Sequence, residues 1–183
     1  LPNVKHALAI YYIIVSSEIF SNLSRYDSLK YGLKIKNKEN NFFYLLKKTR
    51  EKYLGLEVKK RMIVGSYILN SNKLYNYYVQ AQKIRKLIYN DFCEIFKKVD
   101  TILTPVSMNS SFSLNYTKFY IKLHENDIFT VPFSLAGLPC IAVPIGILNQ
   151  NLHISFHISS KLYNEQLLFK VAKIIEYKVK KNI

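Results

Sequence analysis

Asp127-Ile-Phe-Thr-Val-Pro-Phe-Ser-Leu-Ala136, then Gly137-Leu-Pro139, then Cys140-Ile-Ala-Val-Pro144, carries three structural signals in succession. Residues 127–136 read as a short helix. Gly137 relieves a left-handed cap, and Pro139 cannot continue the helix. Cys140–Val143 is a short apolar run that reads as a buried strand closed by Pro144. A helix that stops and hands over to a buried strand points to an α/β fold.

The pattern extends on both sides. Asn149-Gln150-Asn151 reads as a turn, because Asn tolerates positive φ. Leu152, Ile154, Phe156 and Ile158 alternate, so residues 152–158 form a half-buried strand, with His153 and His157 on its opposite, wetter face. Residues 164–179 form an amphipathic helix through Leu167, Leu168, Val171, Ile174 and Ile175. Upstream, Thr101-Ile-Leu-Thr-Pro105 reads as another buried strand stopped by proline.

Before it, Leu74, Tyr77, Ala81, Ile84, Ile88, Phe92, Ile95 and Val99 recur every three or four positions, the stripe of one long helix. Residues 8–27, 42–53 and 56–70 are further helices, with Gly55 as the stop between the last two. Residues 28–41 and 106–120 are polar loops. The strands are few and central in character. The chain therefore reads as part of a mixed central sheet covered by helices on both sides.

Composition narrows the class. The 183 residues are 49% hydrophobic, enough for a real core. The chain starts Leu1-Pro2 and matches neither a signal nor a transit peptide, which predicts a piece of something longer. Lys and Arg outnumber Asp and Glu by 27 to 12, a net charge of +15. Such a charge attracts nucleic acid or an anionic surface. Over-use of Lys, Asn, Tyr and Ile with scarce Gly also fits AT-rich codon bias, which accounts for most of the lysines. Cys93 and Cys140 lie far apart among apolar residues and read as buried thiols. No apolar run reaches the ~20 residues of a membrane span.

The usual catalytic signatures are missing. There is no Gly-x-Ser-x-Gly elbow, phosphate-binding glycine loop or His-Glu-x-x-His. Ser16-Ser17 and Ser110-Ser111 lack the flanking glycines of an oxyanion hole and read as packing or turn serines. His153 and His157 have no nearby carboxylate or Cys to complete a metal site.

Four segments carry a resemblance. They are Tyr11-Tyr-Ile-Ile-Val-Ser-Ser-Glu-Ile-Phe-Ser-Asn-Leu-Ser-Arg-Tyr-Asp27, Gly55-Leu-Glu-Val-Lys-Lys-Arg-Met-Ile-Val-Gly-Ser-Tyr67, Tyr77-Tyr-Val-Gln-Ala-Gln-Lys-Ile-Arg-Lys-Leu-Ile88 and the 126–144 stretch. In this order they resemble the amidase signature family, and within it the glutaminase (A) subunits of aspartyl/glutamyl-tRNA amidotransferases. The likeness runs from about Leu1 to about Glu176. It implies that residues 1–183 are the carboxyl-terminal part of a single amidase domain whose catalytic amino-terminal part is missing. It also implies glutamine hydrolysis, with ammonia passed on to amidate an ATP-activated glutamate on mischarged tRNA.

The family's Ser–cis-Ser–Lys catalytic set matches nothing here, so no catalytic residue is assigned. The implied role of this portion is to hold glutamine. Arg61 matches the arginine that binds the α-carboxylate, Asp127 the aspartate that binds the α-ammonium, and Tyr11 a pocket tyrosine. The residue types suit the task. Arginine grips a carboxylate by two parallel bonds, and an ionised aspartate holds a cation.

Each has a plainer reading: Arg61 in a solvated Lys59-Lys60-Arg61 run, Asp127 capping a helix start, and Tyr11 as one of 15 tyrosines. Where the family is glycine-rich, Asn151–His157 has no glycine. No cofactor is expected on this chain; ATP and Mg belong to the partner subunit. The implied partners are glutamine, a B subunit, a small C subunit, plus mischarged tRNA through the complex, and no membrane. A plastid or mitochondrion is the compartment suggested, otherwise the cytoplasm. The competing readings are a non-catalytic basic module for RNA binding or subunit docking, and an amidase acting on another small amide.

Overall fold

The computed structural model describes residues 1–27, 30–33, 41–108, 126–148 and 152–182. Most of the polar loop at 28–41, most of that at 106–120, and the turn at 149–151 lie outside the described residues. The chain divides into two compact units, Ile10–Lys83 on one hand and Leu1–Ala9 with Ile84–Ile183 on the other.

The first unit is helical. It holds most of α1 (Ala7–Leu23), then α2 (Phe42–Tyr53), α3 (Leu56–Ile68) and a π-helical turn at Tyr75–Val79. Asn41 caps α2, its side chain accepting from the Tyr44 N–H at 3.3 Å. Gly55 does separate α2 from α3, but as the residue preceding α3, with an ordinary φ of −64°. The α2 end is made by Leu54, whose N–H reaches the Arg50 carbonyl. Among the described residues of this unit, Ile10, Ile14, Met62, Ile68 and Ala81 are the buried apolar side chains. Ser16 and Ser17 are buried, and Ser17 Oγ donates back to the Ile13 carbonyl at 2.8 Å, so the pair packs as expected.

Gly65 sets how closely α3 approaches α1. A Cβ built on it would overlap the Ser16 carbonyl oxygen and lie 2.7 Å from Phe20 Cβ. Only a residue without a side chain fits there.

The second unit holds the sheet. Strands β1 (Thr101–Pro105), β2 (Cys140–Leu148) and β3 (Leu152–Ser160) form a sheet of order β1-β3-β2, both pairings antiparallel. The helices are α4 (Gln80–Ile95), α5 (Val131–Ala136) and α6 (Glu165–Asn182). Alternation along β3 sends Ile158 and His157 to opposite faces. On one face Ile158 and Val143 pack with Leu168 and Ala172 of α6. On the other, His157 meets Phe133 of α5 edge-on, ring centroids 4.8 Å apart, and Phe133 packs on Phe92 of α4 at 4.9 Å. The sheet therefore has helices on both sides. Two polar clamps join these parts. Arg85 Nε donates to the Leu135 carbonyl at 2.8 Å, and Asn3 donates twice to the Asp91 carboxylate at 2.9 and 3.0 Å.

The stop at 137–139 forms as read. Gly137 takes φ +71°, and the N–H groups of Gly137 and Leu138 return to the last turn of α5. A Cβ at Gly137 meets nothing within 4 Å, so a side chain there costs only the left-handed backbone strain. Gly137→Ala is expected to destabilise by about 1–2 kcal/mol in urea unfolding, and Gly137→Asn by less.

Several expectations are corrected. The 127–136 helix is broken into a 3-10 turn, Asn126–Phe129, and α5, with Pro132 in the first turn of α5. Pro144 does not close β2. It lies within the strand at a register shift between Pro144 and Gly146, tolerated because β2 pairs on one side only among the described residues. β1 is not buried: Leu103 is 49% exposed, since this strand too is an edge. The thiols are not buried either; Cys140 is exposed and Cys93 half-buried.

The face of His157 is not wet. Its side chain is covered by Phe133, and Nδ1 lies 3.3 Å from Thr104 Oγ1, while His153 stays exposed. Burial pushes the His157 pKa below its ordinary value of 6.5. The unfolded chain therefore binds this proton at a higher pH than the fold does. Stability is expected to fall as pH drops below about 6.5 and on through the folded pKa, and His157→Asn is expected to flatten that limb of a pH–denaturation profile.

Candidate functional site

Arg61 lies in the middle of α3, and Tyr11 and Tyr12 are in the second turn of α1. Arg61 stands four residues before Gly65, and Tyr12 four before Ser16. The close approach at Gly65 and Ser16 thus draws together the turns one step back along each helix. The Arg61 guanidinium lies over the Tyr12 ring, 5.4 Å from its centroid, and its Nε donates to Glu57 Oε1 at 3.1 Å. Tyr12 in turn meets Tyr11 edge-on at 5.3 Å.

Burial alone lowers the Arg61 pKa. Hydrogen bonding to Glu57 and to the Tyr11 hydroxyl outweighs it, and the net shift is upward. Arg61 is therefore a fixed, permanent cation. Its side chain is 22% exposed, whereas the neighbouring Lys60 is exposed, so Arg61 is not simply one more member of a solvated basic run.

Guanidinium carries five N–H donors, and Glu57 engages the one on Nε. The other four donors belong to the fork of Nη1 and Nη2. Such a fork fits a carboxylate bidentately. Sequence reasoning named Arg61 and Tyr11, and the structure brings these two together. It missed Tyr12 and Glu57. The Glu57–Arg61 spacing of four, with the acid first, was a readable sign of a helical ion pair that orients the arginine. Tyr12 carried no sign beyond adjacency.

Asp127 belongs to the other unit. It sits in the 3-10 turn before α5, half-buried, and its main-chain carbonyl accepts from the Thr130 N–H at 3.1 Å and Thr130 Oγ1 at 3.3 Å. Its carboxylate accepts no hydrogen bond from any described residue, so it is not spent capping the turn, the plainer role its position suggested. The neighbouring Asn126 Oδ1 is buried and has no partner among the described residues. An amide oxygen left so is costly, and it calls for a donor. A half-buried carboxylate beside an unsatisfied acceptor is suited to a cation with several N–H groups.

The family model for amidases matches residues 1–169. The chain belongs to the amidase family. Among curated amidase relatives, the glutamyl-tRNA(Gln) amidotransferase A subunit of Ehrlichia chaffeensis is 46% identical over 176 residues, 96% of this chain and 36% of that protein. The solved structure of the glutamyl-tRNA(Gln) amidotransferase A subunit from Thermotoga maritima aligns with a TM-score of 0.59 at 30% identity, over 88% of this chain and 30% of that one. A 6-aminohexanoate cyclic dimer hydrolase aligns with a TM-score of 0.67 at 15% identity, over 94% of this chain and 35% of that one, a likeness of fold. The chain thus spans about a third of the length of the relatives it matches. No described helix is long and apolar enough to cross a membrane.

Proposed function

We propose that this chain is the glutamine-binding portion of the glutaminase (A) subunit of a glutamyl-tRNA amidotransferase. The observation that carries the proposal is Arg61: a half-buried guanidinium that lies over the Tyr12 ring, donates from Nε to Glu57, and has its charged form favoured by Glu57 and by the Tyr11 hydroxyl. Free glutamine differs from other amides in its amino-acid head. Arg61 binds the α-carboxylate, Tyr11 lines the pocket, and Asp127 binds the α-ammonium.

Held at both charges, the side-chain amide is presented to a nucleophile supplied outside these residues, and most of this portion's contribution is orientation. Hydrolysis releases ammonia, which a B subunit uses to amidate glutamate activated by ATP on mischarged tRNA; a small C subunit completes the complex. The name of the Ehrlichia chaffeensis relative supports the tRNA amidotransferase branch over an amidase for another small amide. The organelle expectation draws no support from bacterial relatives of this kind.

The test is ammonia release from glutamine by the full-length protein, followed by conversion of Glu-tRNA to Gln-tRNA in the complex. Glutamine hydrolysis that is slow and indifferent to replacing glutamine with acetamide overturns the reading. Asp127→Asn is expected to raise the KM for glutamine about tenfold or more while leaving the fold intact, because an amide removes the charge but keeps the shape.

A further inference from the structure

Lys170, Lys173, Ile174, Tyr177, Lys178 and Lys181 line one open groove along α6. At 100° per residue these positions form the face of α6 opposite Leu168 and Ala172, which are buried against the sheet. All four lysines are exposed, Ile174 is 56% and Tyr177 69% exposed, and none of the four lysines pairs with a carboxylate among the described residues. The acidic residues of this helix, Glu165 and Glu176, fall on its flank, and Glu176 is taken by Lys180 at 2.8 Å. The outer face is therefore of one sign from Lys170 to Lys181, about 16 Å at 1.5 Å per residue.

We propose that the outer face of α6 is a binding surface for an RNA strand. A row of like charges on a rigid helix complements a polymer that repeats one anion at fixed spacing, whereas a folded acidic protein offers carboxylates interspersed with cations. Lysine is suited to phosphate as a point charge that needs no fixed angle. Tyr177, exposed between Lys173 and Lys178, supplies a ring on which an unpaired base stacks, and Ile174 extends that apolar floor. The lysines contact backbone, so the surface holds RNA without reading its sequence. Excess lysine through codon bias accounts for charge on all faces; it does not account for the exclusion of acids from this one.

The full-length protein is titrated with fluorescein-labelled, unacylated tRNA, and anisotropy is read from about 50 to about 200 mM salt. The variant carrying Lys170→Gln, Lys173→Gln, Lys178→Gln and Lys181→Gln is expected to bind more than about tenfold more weakly at the low end. Its log–log salt slope is expected to be shallower by about 3. The four Lys→Arg changes are expected to preserve the slope. Tyr177→Ala is expected to lose about fivefold or more with the slope unchanged. Glutamine hydrolysis, read separately, stays at the wild-type level in all three variants, so a failure here is distinct from a failure of the glutamine reading. A wild-type slope and affinity in the quadruple Gln variant overturns the surface, including the case in which that variant instead loses an acidic protein partner.

Discussion

Arg61→Ala in the full-length protein is expected to raise the KM for glutamine by about 10- to 100-fold and to leave kcat within a few-fold. A hydrogen bond to a charged group contributes about 1.5–3 kcal/mol, and about 1.4 kcal/mol is a factor of ten. The interaction is made equally in the ground state and the transition state, because the α-carboxylate does not react; its loss therefore falls on KM. Stability is expected to change little. The Glu57–Arg61 pair is partly exposed, at 22% for Arg61 and 43% for Glu57, and such pairs contribute about 0–1 kcal/mol. Arg61→Lys is expected to recover only part of the affinity, since an ammonium cannot present a fork. Steady-state ammonia release measures both constants, and an unchanged KM removes Arg61 from the site.

Gly65→Ala is expected to be the most damaging small substitution in the helical unit, destabilising by about 3 kcal/mol or more. The added methyl would overlap the Ser16 main-chain carbonyl and crowd Phe20 Cβ at 2.7 Å. Neither neighbour is the end of a flexible side chain, so relief requires α1 and α3 to move apart. That movement carries Arg61 away from Tyr12 and Tyr11. The variant is thus expected to combine a lower urea midpoint with a raised KM for glutamine, whereas Arg61→Ala gives only the second. A Gly65→Ala protein with wild-type stability would mean that the two helices are not in close contact.

Much of this was legible from side-chain periodicity. β3 and α6 appear where alternation and a helical stripe placed them, because their apolar residues have one face to bury, and α2 and α3 appear close to the helix bounds read on either side of Gly55. Gly137 and Pro139 ended α5 for local steric reasons that no tertiary contact overrides. What failed were judgements of burial. Cys140–Val143 and Thr101–Pro105 are apolar and β-branched, and so read as central strands. Both are edges among the described residues, and pairing order is a long-range property that neither segment encodes. His157 failed in the other direction: its polar identity suggested water, and Phe133 covers it.

At the site, Arg61 and Tyr11 came from ordered resemblance, since a basic run and one tyrosine among many carry little by themselves. Gly65, which brings their helices together, had no signal in periodicity. Its importance lies in a carbonyl on a different helix.

The most direct test of glutamine binding through Arg61 uses three substrates on the full-length protein: glutamine, glutaramic acid, which lacks the α-amino group, and 4-aminobutanamide, which lacks the α-carboxylate. Specific activity as kcat/KM is measured for wild type and for Arg61→Ala. Wild type is expected to prefer glutamine strongly to both analogues. Arg61→Ala is expected to lose its preference over 4-aminobutanamide while keeping its preference over glutaramic acid. An Arg61→Ala protein that lowers all three by the same factor would contradict carboxylate binding, because Arg61 would then support the fold alone.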